Sequence, residues 1–78
     1  MNEHIRSQLI LSIKNKYVSQ IQECKASFLI YFNNPVAIGE HPQHLEEIDK
    51  LLEKAAAAKD KLEFLLSEVS YFENTSSQ

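Results

Sequence analysis

Asn33-Asn34-Pro35-Val36-Ala37-Ile38-Gly39-Glu40-His41-Pro42 divides the chain in two. This stretch holds both prolines and the single glycine of the 78 residues. Between about Asn2 and Asn33, and again between Pro42 and about Glu73, no helix breaker occurs. Each flank is close to 32 residues, or roughly 48 Å of α-helix. Two helices of equal length with a connection of about eight residues can lie antiparallel along their whole length. The expected fold is therefore all-α: one domain over 1–78, an antiparallel two-helix hairpin with helices over 2–33 and 42–73, a loop over 34–41 and a frayed polar tail over 74–78.

The hydrophobic period supports both helices. In the first segment Ile10, Ile13, Tyr17, Ile21, Cys24, Phe28 and Tyr31 step by three or four, which draws one stripe along a helix. Leu51, Ala55, Ala58, Leu62, Leu65, Val69 and Phe72 alternate steps of four and three, a heptad seam. Leu45, Ile48, Leu52 and Leu66 lie beside it. Asn2 suits the first N-cap, while Asn34 and Pro35 suit the first helix end. Pro42 suits the first turn of the second helix, with Glu46 and Glu47 near its positive end and Glu46 four residues before Lys50. In an antiparallel hairpin, facing residue numbers total roughly 75 by the position of the loop. Tyr17 then falls across from Ala55-Ala56-Ala57-Ala58 and is expected to fill the gap those alanines leave.

Composition narrows the class. With 44% hydrophobic and 24% charged residues, the chain is too apolar for a disordered tail. One glycine and two prolines are too few for a loop-rich or all-β fold. One cysteine gives no internal disulfide framework and fits a reducing compartment. The longest apolar run, Phe28 to Phe32, is far below the roughly 20 residues of a membrane span. Met1-Asn2-Glu3-His4 lacks the pattern of a signal peptide. The expected location is the cytoplasm, with no membrane partner. A net charge of −3 argues against a general nucleic-acid binder. Charge is also unevenly placed. Arg6, Lys14, Lys16 and Lys25 against Glu3 and Glu23 leave +2 on residues 1–34, and four lysines against nine acids leave −5 on residues 35–78.

The apolar surface is wider than one seam on each helix. Phe28, Tyr31, Leu51, Leu62, Leu65, Val69 and Phe72 are the expected oligomer interface, because a lone partner helix cannot cover every apolar side chain. Leaving several exposed exceeds the patch usual for a monomer. Self-association follows, most simply a dimer forming a four-helix bundle; the alternative is a kinked compact monomer.

Little in the sequence points to catalysis. His41 and His44 lie three apart, but partly in the loop and with no third histidine beside them, so capping or surface roles fit better than a metal site. Cys24 falls on the apolar stripe and reads as structural. Glu46, Glu47, Asp49 and Glu53 alternate with lysines on a polar face and read as solvated. Glycine-rich phosphate loops, G-x-S-x-G and CxxC are absent from the sequence. The chain reads as a non-enzyme with no cofactor and no metal. Asn34, Gly39, Glu40, His41 and His44 form either a rigid cap on the hairpin or a recognition surface. Lys14, Tyr17 and Lys25 are candidates for a small anionic ligand, since cationic and aromatic groups suit nucleotides.

Tyr31 through Pro42, followed by Gln43-His44-Leu45-Glu46-Glu47-Ile48-Asp49, resembles small helical-hairpin proteins of unassigned function encoded by large tailed bacteriophages. The likeness covers about residues 28–66. It implies a helix–loop–helix fold and a phage origin, and it brings no ligand or catalytic residues with it. A phage protein of this kind would be an accessory factor binding a host or phage protein in the host cytoplasm. The alternative is an oligomeric counter-defence sponge for a small anion such as a cyclic nucleotide; Ala37-Ile38-Gly39 resembles a stretch in phage sponges of that type over three residues, too few to imply kinship.

Overall fold

The computed structural model describes residues 3–33 and 42–76, with side chains over 3–33 and 44–71. Helix α1 runs Glu3–Phe32 and helix α2 runs Pro42–Ser76. The two pack side by side as a helical hairpin, with no strand among the described residues. Asn33 closes the last turn of α1, its N–H donating to the Leu29 carbonyl at 3.1 Å. At the other end α2 continues to Ser76 instead of fraying after 73. Asn74, Thr75 and Ser76 are polar, but none is a glycine or proline, and polar residues alone do not stop a helix.

The seam of α2 is the heptad row Leu51, Ala55, Ala58, Leu62, Leu65 and Val69, all buried or half-buried. The row extends toward the loop through His44 and Ile48, seven residues before Leu51 and Ala55. Leu45, in contrast, is 59% exposed. On α1 the row Ile10, Tyr17, Cys24 and Tyr31 faces the partner helix, flanked by Ile21 and Phe28 on one side and by the half-buried polar residues Gln20 and Ser27 on the other. Cys24 and Ala58 are the two fully buried side chains among the described residues, each 1% exposed. Both are small, so the helices approach closely at mid-length and little volume is enclosed there.

Cross-helix contacts give the register. Facing numbers total 75 for Tyr31 and His44, 77 for Glu23 and Lys54, and 78 for Tyr17 and Lys61. Near the loop this matches the expected value, and farther along it has moved by up to three residues. Tyr17 therefore meets Lys61, a turn beyond the expected alanines. Ile21 and Phe28 are the bulky α1 residues grouped with Ala55 and Ala56. Lys50 pairs with Glu47 at 3.6 Å rather than with Glu46, and Lys59 with Glu63 at 3.9 Å.

The hairpin is a rod with principal extents of 59, 17 and 16 Å. Neither helix is long and apolar enough, over the described residues, to cross a membrane.

Candidate functional site

A two-helix rod has no enclosed interior, so its candidate sites are the grooves between α1 and α2. One groove, of about 530 Å³, is built on Ile13, Tyr17, Asp60, Lys61, Phe64, Leu65 and Glu68. Two more open on the other side of the hairpin. Phe64 and Leu66 illustrate the division: two residues apart on a helix means about 200° of rotation, and they line grooves on opposite sides. The groove nearer the loop, of about 620 Å³, is lined by Ile21, Lys25, Phe28, Leu52, Ala55, Ala56 and Lys59. The one nearer the termini, of about 340 Å³, is lined by Ser7, Gln8, Ile10, Leu11, Lys14, Leu66 and Val69.

The candidate ligand residues are thus distributed over three grooves. Tyr17 has two ammonium groups over its ring, Lys61 Nζ at 5.6 Å and Lys16 Nζ at 5.8 Å from the centroid. Both are within cation–π range. Asp60 and Glu68 line the same groove, so its charge is mixed. Lys14 and Lys25 are not in it. Eleven residues, or about three turns, separate these two lysines, and they point out on the same side of α1, the side away from Lys61.

His44 is half-buried, with its ring edge-on to Tyr31 at 5.6 Å and 61°. Its heptad distance from Leu51 was the signal in the sequence that it belongs to the seam. Asn34, Gly39, Glu40 and His41, the other members of the loop set, lie outside the described residues, as does the side chain of Phe72. Of the residues expected at an oligomer interface, Phe28, Tyr31, Leu51, Leu62, Leu65 and Val69 are half-buried along the hairpin's own seam. The large apolar side chains that stay exposed are different ones: Leu9, Ile30, Phe32, Leu52, Phe64 and Leu66 are each between 43% and 71% exposed.

Among the described residues, no group of three His, Cys, Asp or Glu side chains is gathered as a metal site would require. His4 and His44 sit at opposite ends of the rod, in the first turns of their helices. The Cys24 thiol is buried. No protein-family model matches the sequence, and no curated protein or solved structure is significantly similar to it.

Proposed function

We propose that this chain is a small, non-enzymatic, self-associating helical interaction protein, a phage accessory factor that works by binding a host or phage protein. The observation that carries self-association is surface area. The hairpin exposes 6155 Å². A compact monomer of 9.0 kDa exposes about 4,850 Å². The surplus of about 1,300 Å² exceeds the roughly 800 Å² that one partner contributes to a standard interface. A dozen large hydrophobic side chains are exposed among the described residues. The phage origin and the partner class rest on the resemblance of residues 28–66.

A second reading is supported by the Tyr17 groove. A ring flanked by the ammonium groups of Lys16 and Lys61 suits a planar anion that stacks on the tyrosine while its charge meets the lysines. On this reading the oligomer sequesters a small anion such as a cyclic nucleotide.

Native mass spectrometry of protein purified gently from its own host separates these readings. A dimer or higher oligomer at the bare chain mass supports the interaction protein. An oligomer carrying a few hundred extra daltons supports sequestration. A bare monomer at all concentrations contradicts both.

A further inference from the structure

We infer that each hairpin uses both of its sides as subunit interfaces, so that the assembly holds at least three copies. This deepens the proposed self-association and rests on it.

Three pairs of large apolar residues carry the inference: Leu9 with Leu11, Ile30 with Phe32, and Phe64 with Leu66. The members of a pair are two residues apart, about 200° around a helix. All six are exposed: 53% and 48% for the first pair, 71% and 62% for the second, 68% and 43% for the third. Phe64 lines the groove of Ile13 and Tyr17, whereas Leu66 and Leu11 line a groove on the opposite side. Ile30 is one heptad from Glu23 and Leu9 is two, which puts both on the side where Glu23 meets Lys54. Phe32 is one heptad from Lys25, on the side of Leu52. Single exposed apolar side chains are ordinary on a monomer. Here they recur on both sides, and each side draws them from both helices.

Charge does not separate the two sides. Lys61 and the Glu23–Lys54 pair lie on one, and Lys14, Lys25 and the Lys59–Glu63 pair on the other. Each side therefore combines apolar residues with charges of both signs, as an interface with a polar rim does.

Area shows that one contact is too little. Two separate hairpins expose twice 6155 Å², whereas a compact particle of twice 9.0 kDa exposes about 8,000 Å². The surplus is about 4,300 Å². One side of the rod has an outline of 59 by 17 Å, about 1,000 Å², so a neighbour lying along it covers about 2,000 Å² over the two partners. More than 1,000 Å² of surplus then stays on each subunit, above the roughly 800 Å² that one partner gives to a standard interface. A second neighbour on the opposite side removes it. A twofold dimer is built on one patch, the same on both copies. Two patches on opposite sides of a rod cannot meet the same neighbour, so each hairpin has two neighbours and closure needs three copies or more.

Size-exclusion chromatography with light scattering, run on the wild-type chain at rising concentration, tests this. The mass should level off at no less than three times the 9.0 kDa chain. A plateau at twice the chain overturns the inference and leaves self-association standing. A single-chain mass at every concentration overturns both. Matched variants test the two sides separately. Ile30→Lys with Phe64→Lys alters one side, and Phe32→Lys with Leu66→Lys alters the other. All four residues are exposed, so both doubles should keep the wild-type circular dichroism. Each double should fall below the wild-type mass at equal concentration. A folded double that keeps the wild-type mass overturns the use of both sides, and the wild-type plateau decides the matter without any variant.

Discussion

Lys54 Nζ lies 3.5 Å from Glu23 Oε2, joining α2 to α1 across the middle of the hairpin. The side chains are 49% and 68% exposed, so water screens the pair and the contact records register more than it supplies stability. Glu23→Gln is expected to lower unfolding free energy by less than about 1 kcal/mol. Thermal melts of the variant beside the wild type check this, and a loss well above that value would mean that the pair holds the helices in place.

Ala58 is a different case, because it is 1% exposed in the seam between the helices. A leucine there has no room. Ala58→Leu should destabilise by about 1–3 kcal/mol through overpacking. Ala57→Leu, one residue away on the exposed surface, should be close to neutral. Chemical denaturation of both variants provides the comparison, and equal midpoints would contradict the close approach.

The Cys24 thiol is equally covered. A thiol reagent such as dithionitrobenzoate should react slowly with native protein and promptly once denaturant is added, because access requires the helices to part. Immediate full reaction under native conditions would mean that the seam is open around Cys24.

Leu62 and Leu65 are adjacent members of the α2 seam, both half-buried. Replacing both by glutamate puts two charges against α1 without partners. The expected result is loss of most of the helical circular dichroism signal, with a chain that no longer associates. Retention of native helicity and oligomeric state would show that these residues do not hold the fold.

The hairpin was legible in the sequence because its two determinants are local: breakers confined to 33–42 and apolar period on both flanks. The α2 seam was legible for the same reason, from Leu51 to Val69. His44 and Ile48 were less visible. A histidine in a capping position reads first by its chemistry, although its spacing of seven from Leu51 put it on the seam. Gln20 and Ser27 were invisible to a hydrophobic pattern, since they are half-buried only because small residues bring the helices close. Tyr17 was assigned to the alanines by a register counted from the loop, and a shift of up to three residues moved it to Lys61. The dispersal of Lys14, Tyr17 and Lys25 over separate grooves depends on helix rotation about the seam, which their charge and aromatic character do not encode.

Self-association is the central claim, and sedimentation equilibrium of the wild-type chain over a wide concentration range tests it most directly. The account predicts a wild-type mass of at least twice the 9.0 kDa chain. A wild-type mass of 9.0 kDa at every concentration, with full helicity, would contradict it.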